Sequence, residues 1–276
     1  MFAALFALIP SPTSGQVHLG PLVFNAYGLC IAIGAAAAVS LATKRWVRAG
    51  GGRDDVSKIS WIAVPAGVIG ARIYHVATDW KSFRGHWFDV LKVWQGGLGI
   101  WGGVALGTVV GLWKARQLNL PLAPLLDVAA PAIPLAQGIG RWGNWFNVEL
   151  FGRPTMLPWA LKVPLDKRPV GFESFATFHP TFLYESLWDL GICLFILSGG
   201  AAISRRFRPG GAFALYVALY TFGRFFIERI RIDHATRVAG LRINEWVAGI
   251  MFVLAVAALL RLRRTETDES PLSVDP

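Results

Sequence analysis

Charge is confined to parts of this 276-residue chain, and that confinement limits its fold more than any single motif. No Asp, Glu, Lys or Arg occurs from Met1 to Thr43, or from Val93 to Trp113. About 20 apolar residues in a helix cross the hydrocarbon of a bilayer, and both stretches are long enough. Only 16% of residues are charged and mean hydropathy is +0.47, against about 25% charged in a soluble domain. The chain reads as an all-α polytopic membrane protein.

Seven spans can be drawn, near 22–43, 59–78, 95–113, 121–140, 181–203, 210–228 and 243–260. Basic residues set their orientation. Lys44, Arg45, Arg48, Arg53 and Lys58 follow the first span, Lys114 and Arg116 the third, Arg205, Arg206 and Arg208 the fifth, and Arg261, Arg263 and Arg264 the seventh. These short, dense segments belong on the cytoplasmic side, which puts the N-terminus outside and the C-terminus inside. The longest loop, 141–180, then falls outside; its prolines and aromatics suggest a small ordered extracytoplasmic cap. The apolar start, Met1–Pro10, lacks the basic region of a secretory signal and reads as an interfacial helix or a lead-in to the first span. The acidic tail 265–276 reads as a disordered cytoplasmic end. No internal repeat is visible, which counts against the inverted-repeat plan of many transporters.

A net charge of +10 would suggest nucleic acid as a partner in a soluble protein. Here the basic residues sit in short loops between apolar stretches, so they read as topology signals with an added attraction for anionic membrane lipid. Cys30 and Cys193 lie inside apolar segments and read as small hydrophobes. No Cys/His cluster points to a metal.

Charge within a span is costly and marks a candidate functional site. Arg72 sits late in the second span, Asp127 in the fourth, and Glu185 and Asp189 early in the fifth. In the sixth, Arg224, Glu228 and Arg231 recur at i, i+4 and i+7, one face of a helix. The densest stretch is Gly140-Arg141-Trp142-Gly143-Asn144-Trp145-Phe146-Asn147-Val148-Glu149-Leu150-Phe151-Gly152. Its glycines allow close backbone approach, its arginine offers a planar fork suited to phosphate, and its aromatics suit a lipid interface. Together they describe an anion site open to lipid. Structural ion pairs and snorkelling side chains remain the plainer reading of any one of these charges.

The stretch 140–152 resembles the signature of the prolipoprotein diacylglyceryl transferases. Phe24-Asn25-Ala26-Tyr27-Gly28-Leu29, Gly70-Ala71-Arg72, His179–Glu185 and Gly223-Arg224-Phe225-Phe226-Ile227-Glu228 resemble further motifs of that family, in its order. The resemblance covers most of the chain. It implies about seven transmembrane helices in a bacterial inner membrane and no metal or organic cofactor. It also implies a reaction in which phosphatidylglycerol gives its diacylglyceryl group to the lipobox cysteine of a preprolipoprotein signal peptide, releasing glycerol phosphate. The candidate catalytic residues are Arg141, Arg224, Asn144, Glu149 and Tyr27; the candidate substrate-binding residues are Arg141, Arg224, Gly152, Glu228, Arg231 and Arg72. The arginines would neutralise the departing phosphate, Asn144 and Gly152 shape the site, and Tyr27 hydrogen-bond substrate. Glu149 and Glu228 would orient the arginines or move a proton. Tyr184 and Glu185 would tie the cap to the bundle.

The chain departs from the family pattern at one place. Trp101, in Gly96-Gly97-Leu98-Gly99-Ile100-Trp101, stands where family members carry a histidine, and indole has no basic nitrogen. A thiol of pKa about 8.5 would then be activated by the positive field of the arginines, with no base assigned. From the residues alone, a transporter or channel for an anionic solute and a non-catalytic lipid-binding scaffold remain as alternatives.

Overall fold

The computed structural model describes residues 8–19, 22–93, 97, 99–233 and 235–264. The interfacial helix expected at the N-terminus falls largely on 1–7, and the disordered tail on 265–276; both lie outside the described residues. The chain forms two compact units, one of Met1–Ala38 with Leu126–Pro276, the other of Val39–Leu125.

Helix α1 (Ala26–Arg48) begins in the first unit. Residues 22–25, expected as the start of the first span, instead form a strand paired antiparallel with Gln16–Leu19. Asn25 ends the strand and starts the helix. Its Oδ1 accepts the N–H groups of Tyr27 at 2.9 Å and Gly28 at 3.4 Å, satisfying two of the donors that a helix start leaves unpaired.

The second unit pairs α2 (Asp55–Thr78) with α3 (Ile100–Gln117). Their contact is built from small residues. Gly99, Gly103, Gly107 and Gly111 recur every four residues, and a Cβ at Gly107 would come within 3.4 Å of the Gly67 backbone. At the crossing of Gly70 and Gly102 a Cβ on either would overlap the other's carbonyl. Apolar helices in lipid gain little from burial alone and associate by such close backbone approach. Arg72 is buried in this unit. It donates to the carbonyls of Val90 at 2.8 Å, Gly97 at 3.0 Å and Asp89, holding the turns after α2 against the helix. The third helix starts at Ile100, not near 95, after Gly97 takes a left-handed φ of 70°.

Helix α4 (Leu122–Ala129) begins in the second unit and ends in the first, where α5 (Ala132–Asn147), α6 (Thr181–Ser198), α7 (Gly200–Arg206), α8 (Gly211–Ile230) and α9 (Ile243–Leu262) follow. The fifth span, drawn as 181–203, is broken at Gly199 into α6 and α7. Helix α6 packs on α5 and α8, and α8 packs on α9. The carboxylate of Asp127 on α4 accepts the N–H groups of Gly210 at 2.7 Å and Phe213 at 3.0 Å. It thus caps α8 where the helix dipole favours negative charge.

Among the described residues, five segments are helical, long and apolar enough to cross a membrane: Ala26–Arg48, Asp55–Thr78, Leu122–Asn147, Thr181–Ser198 and Ile243–Leu262. The protein is mostly helical rather than all-α, because short strands organise the connections. Ile9–Pro10 pairs with Leu161–Lys162, which pairs with Thr177–Phe178, and Arg237–Val238 pairs with Leu241–Arg242. Residues 148–180 close around Phe151, Leu161, Val163 and Phe178, which are buried together. That lobe starts at 148 and not at 141, since α5 runs on through Asn147.

Candidate active site

The signature stretch is helical where it carries its polar groups. Arg141 and Asn144 are three residues apart on α5 and share a face. Glycines here are not loop residues: Gly143 leaves room for the ring of Tyr27, which would lie 2.6 Å from an added Cβ. The helix ends at Val148, whose φ of 51° is unusual for a β-branched residue. This left-handed turn brings the Glu149 N–H back to the Asn144 carbonyl at 3.0 Å. The Asn144 amide in turn donates to Glu149 Oε1 at 2.9 Å. Tyr27 meets this pair and Arg141 from α1.

Next to Asn144, the two arginines are joined by one carboxylate. Glu185 on α6 meets Arg141 Nη1 at 3.2 Å through Oε2 and Arg224 Nη1 through Oε1. Arg224 Nη2 meets Glu228 Oε2 at 2.6 Å. Glu228, fully buried, continues through Oε1 to Arg242 Nη1 at 3.3 Å and accepts from Asn244 Nδ2 at 3.1 Å. Arg242 reaches Asp233 at 3.1 Å, and Asp233 accepts from Arg231 Nε at 2.7 Å. The result is an alternating chain, Arg141–Glu185–Arg224–Glu228–Arg242–Asp233–Arg231. Four cations against three anions leave it at +1. Buried charge is tolerated when paired in this way. At its outer end burial pushes the Asp233 carboxyl up, but the hydrogen bond and charges of Arg231 and Arg242 outweigh this and hold it below the usual range.

The arrangement departs from the sequence expectation in several respects. Glu185, expected to tie the cap to the bundle, bridges the two arginines, whereas Glu149 orients Asn144. Arg231 lies just past the end of α8 in extended conformation, so it is not on the helical face with Arg224; it approaches Glu228 at 3.9 Å. Gly152 sits on its backbone: a bridge to Arg231 and an N–H donated to the His179 carbonyl at 2.9 Å fasten the lobe. Arg72 belongs to the other unit, with its guanidinium engaged on backbone carbonyls. Tyr184 does fasten the lobe, accepting from Trp159 Nε1 at 3.0 Å and meeting His179 Nδ1 at 3.1 Å; burial holds the His179 imidazole below its usual value. Arg242 and Asp233 carried no signal in the sequence beyond their charge.

On another side of α5 lies an apolar cavity of about 300 Å3, lined by Cys30, Ile33, Gly138, Trp142, Phe146 and Leu190 among others. Arg141 and much of the cavity wall are carried by the same helix, within a segment long and apolar enough to cross a membrane. Fold and site define a membrane protein with charged groups paired between its helices.

A model of the family described as prolipoprotein diacylglyceryl transferase matches residues 15–261, and the chain belongs to that family. It is similar to phosphatidylglycerol–prolipoprotein diacylglyceryl transferase 2 of Streptomyces coelicolor, with 49% identity over 258 residues, 92% of this chain and 80% of that protein. The corresponding enzyme of Frankia alni is 49% identical over 97% of this chain and 71% of its own length. That of Bifidobacterium adolescentis is 42% identical over 94% and 81%. The protein is therefore a membrane transferase.

Proposed function

We propose that this protein transfers the diacylglyceryl group of phosphatidylglycerol to the lipobox cysteine thiol of preprolipoprotein signal peptides, with Arg141 and Arg224 holding the phosphate. The observation that carries the assignment is the Arg141–Glu185–Arg224 bridge. One carboxylate between two guanidinium groups leaves donors of each free for an anion, and holds both in place before it arrives. Such preorganised charge works where charge develops, on the phosphate as its C–O bond breaks. The sulfur attacks the glyceryl carbon, a thioether forms, and glycerol phosphate departs. Asn144, fixed by Glu149, and Tyr27 frame the reacting carbon, while Glu228 and Arg231 support the cation pair from the α8–α9 side. Gly152 sets the position of Arg231. The apolar cavity beside α5 suits an acyl chain.

In this proposal the chain crosses a bacterial inner membrane seven times, N-terminus outside and C-terminus cytoplasmic, with the lobe at 148–180 as an outer cap. α3 and α8 then cross as well, their polar positions shielded by neighbouring helices. Purified protein given phosphatidylglycerol and a lipobox peptide is expected to form the thioether-lipidated peptide. Arg141→Ala, folded by its melting curve, is expected to lose activity by about 100-fold or more, the scale of losing one preorganised donor at a developing charge. Full activity in that variant would remove Arg141 from the phosphate site.

A further inference from the structure

Inside the arginine cluster lies a void of about 10 Å3 whose walls include Arg141, Arg224, Glu185 and Tyr220, with Trp188 and Ile227 as the apolar side. Asp189 also lines it. That side chain is 2% exposed, and among the described residues its Oδ2 has no hydrogen-bond partner. It stands one helical turn past Glu185 on α6, so the two carboxyl groups share a face. Facing it are Arg141 from α5, Glu185 from its own helix, and Tyr216, Tyr220 and Arg224 from α8.

Charge and direction narrow what this group can do. The alternating chain carries +1, and an ionised Asp189 would bring it to zero, which opposes capture of an anionic phosphodiester. A proton on Asp189 preserves the positive charge and removes the cost of leaving a buried, charged Oδ2 without a hydrogen bond. Displacement at carbon is in line, so the thiol approaches on the face opposite the departing oxygen. A group in the arginine cavity is therefore on the phosphate side of the reaction, not the thiol side.

We propose that Asp189 is a catalytic residue that donates its proton to the phosphate as it leaves, an inference that rests on the placement of phosphate at Arg141 and Arg224. The sulfur electron pair forms the C–S bond. The C–O bond breaks with its pair passing to the phosphate oxygen, and the Asp189 O–H proton moves to the phosphate, giving a hydrogen phosphate monoester. The thiol proton goes to solvent and solvent returns one to Asp189, so that in sum the thiol proton ends on the product.

The test compares phosphatidylglycerol with an analogue whose bridging oxygen on the glyceryl carbon is sulfur, a less basic leaving atom. Asp189→Asn is neutral and nearly isosteric. It is expected to leave KM for phosphatidylglycerol within about twofold and to lower kcat roughly 100-fold, the lower end of general-acid contributions. With the sulfur donor the deficit is expected to shrink to about threefold or less, which a merely structural role would not produce. Equal deficits on both donors, or an undiminished kcat on the natural one, would overturn the donor role. If the variant does not fold, the wild-type enzyme decides. An alkaline fall in kcat present with the oxygen donor and missing with the sulfur donor supports the proposal, and the same limb with both refutes it. Failure of the phosphate placement shows separately, as full activity of Arg141→Ala on both donors.

Discussion

Replacing Glu185 by alanine removes the buried carboxylate that joins Arg141 to Arg224 and leaves two partly buried guanidinium groups facing each other. At 3.2 Å between Arg141 Nη1 and Oε2, and with an effective dielectric of about 20, Coulomb's law gives that one contact about 5 kcal/mol. Removal of the carboxylate also releases the cost of burying it, which offsets part of this. Breaking a buried pair by deleting one partner costs about 3–5 kcal/mol net, a large share of the roughly 5–15 kcal/mol by which folded proteins are stable. At about 2–4 °C per kcal/mol for a chain of this size, the melting temperature is expected to fall by roughly 10 °C. Glu185→Gln keeps the volume and deletes the charge, so it isolates the electrostatic part. Both variants are expected to lose about 100-fold or more in kcat/KM, since neither holds the guanidinium groups where charge develops. Thermal unfolding followed by tryptophan fluorescence, alongside initial rates of thioether formation, reads the two effects. If Glu185→Gln melts and turns over like the wild type, the carboxylate does not set the arginines and the Coulomb reasoning fails.

Other perturbations separate the parts of the structure. Asn144→Ala leaves Glu149 without its amide partner, and the unsatisfied group costs about 1–3 kcal/mol. A double-mutant cycle with Glu149→Gln in the lipidation assay is expected to show strong coupling; additive losses would mean the pair acts independently. Gly102→Leu forces a side chain into the Gly70 carbonyl, and overpacking of about 1–3 kcal/mol or more is expected to lower the melting temperature, while Gly191→Ala, with open space around it, leaves it unchanged. Asp233 has a folded pKa below its unfolded value, so its contribution to stability is present above about pH 4 and is lost as pH falls through the folded value. Asp233→Asn is therefore expected to flatten the acid limb of the stability profile; an unaltered limb between the two proteins would contradict the pairing with Arg231 and Arg242.

The membrane character of the chain and the identity of its site were legible in the sequence to different degrees. Long charge-free runs mark helices because a helix satisfies its own backbone groups within the bilayer, and Arg141, Asn144 and Arg224 stood out because charged and polar groups there need a reason. The fourth span, drawn to end at 140, has a helix that runs on through Asn147; Gly143 lies in that helix and allows the close approach of the Tyr27 ring. Glu185 was undervalued because its partner Arg224 is 39 residues away, a pairing that spacing along one helix cannot reveal. Periodicity extended Arg231 onto a helix that had already ended at Ile230. Arg242 looked like one more loop charge, and only the packing of α8 on α9 turns it into the second partner of Glu228.

That last pairing has a consequence for how the protein comes into being. Glu228 emerges from synthesis before Arg242 and Asn244, the groups that share its other oxygen. A nascent chain that has inserted α8 but not yet made the start of α9 carries a carboxylate with half its partners. Arg224 is then held by Glu185 and by a Glu228 whose other oxygen still lacks its partners. Completion of the charge chain is thus tied to arrival of the final helix, and a chain truncated before Asn244 is expected to be both less stable and less active than the full one.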